Sequence, residues 1–151
     1  MEIKLYTLKL GLLFFWCLWF SIVFLTNLFE GFRVLRVVPI TWKFASHNFK
    51  PVAQATAGYH ASLWLPRFLF SGILLWQLLA VIYFARATIL SFYGWTAGRG
   101  PANAAFAVGL SLWAAFMIAD EVFKEYDTQR SHVLFFIAQL ATLLALHVLP
   151  S

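Results

Sequence analysis

Few residues in this chain are equipped for chemistry, and most of them fall in one stretch. Between Ile118 and His132, the run IADEVFKEYDTQRSH holds Asp120, Glu121, Glu125 and Asp127, four of the six acids, with Lys124, Arg130 and His132. Carboxylates and an imidazole in so short a turn can exchange protons, share a cation or pair with arginines. Helical spacing puts Glu121 and Glu125 on one face, suited to a shared ion or to a pair with Lys124 or Arg130. His47 and His60 fall on the same side of the expected topology. With His132 and Glu121 they make a weak set of candidate metal ligands, imidazole and carboxylate being suited to hard or borderline ions. The stronger expectation is an ionic clasp, with Arg33, Arg36 and Lys43 of a long basic connection pairing with Glu121, Glu125 and Asp127. A proton or ion path through Glu121, the acid expected to sit deepest, is the alternative, since acids within a membrane segment are costly unless used.

The elements that hold this turn are apolar. The 151 residues are 62% hydrophobic and 11% charged, against roughly 25% charged in ordinary soluble domains, and the mean hydropathy is +0.80. Runs of about 20 apolar residues span a bilayer as helices. Four are predicted, over about 8–29, 65–85, 102–123 and 131–149, making an all-α, four-transmembrane-helix bundle in a single transmembrane domain. The runs are too long and unbroken for the alternating strands of a membrane barrel. The opening MEIKLYTLK precedes an apolar run without a small-residue cleavage site, so an uncleaved anchor is expected.

Between the first two spans lies the longest connection, from Phe32 to Ser62, broken by Pro39 and Pro51. A loop this long is expected to be packed or functional. Its apolar residues Val34, Leu35, Val37, Val38, Ile40, Trp42 and Phe44 suggest a partly interfacial segment, its cations reaching lipid phosphates. A short helix is expected over Val52 to Gly58. Inside the spans, Asn27, Gln77 and Gln139 are polar groups that lock helices together by hydrogen bonds of about 1 kcal/mol. Trp16 and Trp19 lie too deep for an interfacial belt and should face other helices or a partner. Ala138, Ala141 and Ala145 recur at helical spacing as a packing stripe.

Four spans put both termini on one side. Lys4, Lys9, Arg86 and Arg99 lie there, and the other seven cations lie on the hairpin side. The bare count of Lys and Arg would place the hairpins inside, but the rule weakens over a long connection, and cytoplasmic termini are expected. A faint echo between LWFSIVFLTNLFEGF and LWAAFMIADEVFKEY sets Asn27 opposite Glu121, as a duplicated hairpin would.

Several function classes are excluded or disfavoured. No phosphate loop, nucleophile elbow or HExxH zinc motif occurs, and no catalytic residues are assigned. A b-type haem needs two facing histidines. His132 and His147 share a helix about 22 Å apart by rise, leaving only His60 with His132, so no cofactor is expected. Cys17 stands alone, with no intrachain disulfide partner. The cations are scattered rather than massed on a face, so nucleic acid is not an expected partner; lipids are.

The run IADEVFKEYDTQRSHVLFFIAQLATLLALH resembles the third-to-fourth helix hairpin of a family of small bacterial four-helix membrane proteins of unknown function. In that family a Gly-Glu-Trp-Phe type motif ends the third helix, and Asp120, Glu121, Val122 and Phe123 stand in its place. Asn27 and the Trp76–Gln77 pair are similar to the family pattern too, though Gln77 stands where a glutamate would be expected and Asp120 where a glycine would be. The resemblance implies a four-span bundle in the bacterial inner membrane and assigns no activity. The function expected is that of a non-catalytic accessory subunit of a larger inner-membrane complex, respiratory or photosynthetic in type, with larger integral membrane subunits as partners. A small ion- or proton-conducting homo-oligomer using Glu121, and a cofactor-binding subunit of an oxidoreductase, are the alternatives.

Overall fold

The structure is a computed structural model that describes residues 5–60 and 62–150. It consists of five helices: α1 (Leu5–Val34), α2 (Phe49–Ala57), α3 (Trp64–Ser91), α4 (Trp95–Phe123) and α5 (Tyr126–Val148). All but α2 are long and apolar enough to cross a membrane, as in a multi-pass membrane protein. No strand occurs among the described residues.

Each helix has a local cause. The 30 residues of α1 run to about 45 Å, past the roughly 30 Å of a hydrocarbon core. It continues a turn beyond the apolar run, carrying Glu30 and Arg33 on its end, and Arg36 then turns the chain with a positive φ of 60°. α2 begins before Pro51 because a proline in the first turn forfeits no intrahelical bond. α4 starts at Trp95, a full turn and more ahead of the expected Ala102, because the break lies at Gly94, whose φ is 122°. Pro101 is absorbed inside the helix.

The turn from α4 to α5 is tight. Lys124 takes a left-handed φ of 59°, while Glu125 N–H donates to the Asp120 carbonyl at 2.8 Å and Lys124 N–H to that of Glu121 at 3.4 Å. This is the Schellman pattern that closes a helix, with a lysine where glycine is usual. Replacing Lys124 with glycine is therefore expected to stabilise the fold by about 0.5–1 kcal/mol, measured by unfolding in mixed micelles; a loss of stability would refute this account of the turn.

The four long helices pack in the order α1, α3, α4, α5, with the core formed by Leu13, Trp16 and Phe20 of α1, Ala80, Phe84 and Ala87 of α3, Ala102, Ala105, Phe106, Leu112 and Trp113 of α4, and Leu146 of α5. Small residues set the approach of α3 to α4. A Cβ on Gly98 would stand 2.8 Å from Ser91 Cβ and 2.9 Å from Ser91 Cα, so only glycine fits there. Stacked rings fill the centre, Phe20 on Phe84 at 5.4 Å and Trp113 on Phe135 at 4.9 Å. α5 leans mainly on α4. Its gap to α1 is spanned by long side chains, Trp16 Nε1 donating to Thr142 Oγ1 at 3.2 Å and Trp19 lying 5.2 Å from Phe135.

Candidate functional site

Because α4 ends in a tight turn, its last inward residue meets the first turns of α5. That residue is Asp120, buried at 6% exposure. Its Oδ2 is 2.6 Å from His132 Nδ1, and its Oδ1 accepts a hydrogen bond from Thr128 Oγ1 at 2.9 Å. The His132 ring lies flat on Phe116, centroids 4.7 Å apart, and 6.1 Å from Trp113. A carboxylate on Nδ1 fixes the orientation of an imidazole. The pair stands at the bundle's end, with the aromatic faces shielding one side.

Glu121 stands elsewhere. One residue along a helix rotates the side chain by about 100°, so burial of Asp120 turns Glu121 outward, and it is exposed. The expectation that Glu121 is the deep acid is corrected in favour of its neighbour. The ionic clasp is corrected as well: among the described residues the ion pairs are Arg33 with Glu30 at 2.7 Å and His132 with Asp120. Arg33 thus closes on its own helix, and Arg36 and Lys43 are exposed without reaching Glu121, Glu125 or Asp127. The long connection does meet the acidic turn, through a tyrosine. Tyr59 donates to the Val122 carbonyl at 2.5 Å and stands edge-on to Phe123. A neutral hydroxyl and an apolar ring suffice there, because the basic residues leave the connection toward solvent.

The metal candidates are not gathered. His47 and His60 are exposed turn residues with φ of 63° and 53°. Among the described residues no three His, Cys, Asp or Glu side chains are placed to share an ion, and His60 makes no hydrogen bond or ring contact with His132.

A second polar centre lies between α1 and α3. Asn27 Nδ2 donates to Gln77 Oε1 at 3.0 Å, both side chains buried. Asn27 Oδ1 accepts from Ser46 Oγ at 2.5 Å and Asn48 Nδ2 at 2.9 Å, while Ser46 N–H donates to the Thr26 carbonyl at 3.1 Å. One asparagine thus bonds a helix and the long connection at once. Asn27 and Gln77 were legible as intramembrane polar residues. Ser46 and Asn48 were not, since their role depends on a chain reversal between Pro39 and Pro51 that no spacing announces.

Gln139 completes the polar set. It is fully buried against Gly109, where a Cβ would come within 2.7 Å of its amide nitrogen. Neither end of the amide has a hydrogen-bond partner among the described residues, and the same holds for the indole nitrogens of Trp19 and Trp113. His132 and Gln139 are seven residues apart on one face of α5, about 10 Å by rise. An unpaired buried amide costs about 1–3 kcal/mol. Gln139→Met is expected to stabilise the isolated protein by about 1–2 kcal/mol, seen as a higher melting temperature in detergent; a lower one would show that the amide is bonded.

The chain matches no known protein family, no curated protein and no solved structure.

Proposed function

We propose that the protein is a non-catalytic helical subunit of a larger complex in the bacterial inner membrane, docking on its partner through the outer face of α5. The observation that carries this reading is the use α5 makes of its faces. Gln139 and Leu146 are buried, whereas Leu134, Ala138, Ala141 and Val148 are exposed and Ala145 is half-buried. Those five residues recur at intervals of four and three, the spacing of a helix–helix seam, and the central alanines allow a second backbone close approach. Ala138 and Ala141 of the packing stripe face away from the bundle. The bacterial setting rests on the family resemblance.

Purification in mild detergent tests the proposal. Ala141→Phe points away from the bundle, so the chain should fold with an unchanged melting temperature and lose its larger membrane subunits at least tenfold. Undiminished co-purification of those subunits would rule the seam out, and a chain that elutes as a self-association would replace the partner with a second copy.

The Asp120–His132 pair supports a second reading, a small proton- or ion-conducting assembly, in which the acid is Asp120 rather than Glu121. In liposomes loaded with a pH dye, Asp120→Asn is expected to abolish proton entry while Glu121→Gln leaves it intact. No proton entry above empty liposomes with the unaltered protein would eliminate this reading.

A further inference from the structure

The end of the bundle opposite the acidic turn, where α1 begins, α3 ends and α4 begins, is cationic. Lys9, Arg86 and Arg99 lie there, whereas the described acids, Glu30, Asp120, Glu121, Glu125 and Asp127, all belong to the hairpin end. Lys9 is only 1% exposed, and its ammonium lies 4.4 Å from the centre of the Trp95 ring. Trp95 opens the 29-residue α4. The ammonium is therefore held at the positive end of that helix, whose first amides lack intrahelical acceptors. Arg99 lies one turn along α4, on the face of Trp95, and is exposed.

No described acid lies at this end of the bundle. Among the described residues the ion pairs are those of Arg33 and His132, so no described carboxylate pairs with Lys9. A buried ammonium without an anion is costly, and a ring face offsets only part of that cost. The corner is nonetheless built firmly. The Tyr6 hydroxyl donates to the Ser91 carbonyl, tying the first turn of α1 to the last of α3, and Gly98 rests on Ser91. Ser91 Oγ is buried there without a partner among the described residues. Tyr6 and Trp95 are also the residue types that mark headgroup depth.

We infer that Lys9, Arg99 and the first turn of α4 form a binding site for a phosphate-bearing anion, of the kind carried by an acidic phospholipid headgroup or by free phosphate. The site is independent of the docking role of α5. Two cations and the free amides of Trp95 and Thr96 supply charge and donors, as other helix N-termini do for phosphates, and the Trp95 ring holds the ammonium in place.

The test uses the full chain in mild detergent, with native mass spectrometry counting bound phosphatidylglycerol or phosphatidylcholine, and melting temperature read with and without inorganic phosphate. The unaltered protein should retain phosphatidylglycerol at least tenfold over phosphatidylcholine. Lys9→Met and Arg99→Gln should bring the two lipids to parity, while Lys50→Met, at the other membrane face, should leave the preference intact. A phosphate-induced rise in melting temperature, lost in both variants, would support the site with the free anion as ligand. Should Lys9→Met fail to fold, Arg99→Gln, altered at an exposed side chain, decides alone. Equal retention of both lipids with no response to phosphate overturns the inference, as does a preference unchanged in the folded variants.

Discussion

Replacing Asn27 with leucine is expected to destabilise the protein by about 2–4 kcal/mol and to release the long connection from the bundle. The side chain donates to Gln77 and accepts from both Ser46 and Asn48, so three partners lose a bond at once. Gln77 suffers most, being 3% exposed in a region where no water replaces the lost donor. A single helix–helix hydrogen bond would return only about 1 kcal/mol. The larger figure comes from the connection, whose docking through Ser46 and Asn48 depends on the same oxygen. Two measurements check it: unfolding in mixed micelles, and protease cleavage between Pro39 and Pro51, which should quicken in the variant. Cleavage at the unaltered rate would show that the connection is held by its aromatic contacts instead, Phe29 with Trp42 and Phe44 and Phe49 with Phe70.

Gly98→Val is the second substitution of large effect. The nearest atom to a new side chain is Ser91 Oγ, with the Cβ and Cα of Ser91 behind it at 2.8 and 2.9 Å. A backbone atom cannot rotate aside as a side-chain tip does, so α4 must move off α3. Overpacking costs about 1–3 kcal/mol. Added to it is the loss of contacts along Ala80, Phe84 and Ala87 against Ala102, Ala105 and Phe106, all 0% exposed. The expected result is a total of about 3 kcal/mol or more, visible as loss of folded protein in detergent. Gly98→Ala combined with Ser91→Gly should recover part of the deficit relative to Gly98→Ala alone, since it removes the opposing side chain. No recovery would mean that the clash is with the Ser91 backbone alone. Gly109, by contrast, faces the end of the Gln139 amide, a flexible group, and alanine there should cost less.

The two polar centres differ in how far their members could be seen beforehand. Asn27, Gln77 and Gln139 declare themselves because an amide inside an apolar run must be accounted for wherever the helix turns it. The acidic turn is different, since Asp120 and Glu121 are adjacent and chemically alike. Their fates separate only when the Lys124 turn sets the angle between α4 and α5, which aims Asp120 at His132 and Glu121 outward. Lys9 shows the same limit in reverse. By sequence it is an ordinary cation near a membrane end, and its burial against Trp95 follows from where α4 begins.

What the sequence determined by itself is the set of spans, since a run of some 20 apolar residues in a bilayer can satisfy its backbone only as a helix. Which face each helix buries was decided by the tertiary structure. A membrane helix is apolar nearly all round, so hydrophobic pattern does not distinguish the side toward its neighbours from the side toward lipid. The choice fell to close approaches at Gly98 and Gly109 and to hydrogen bonds between residues far apart in the chain. The same choice turned Ala138 and Ala141 outward, placed Gln139 within, and made Asp120 rather than Glu121 the partner of His132.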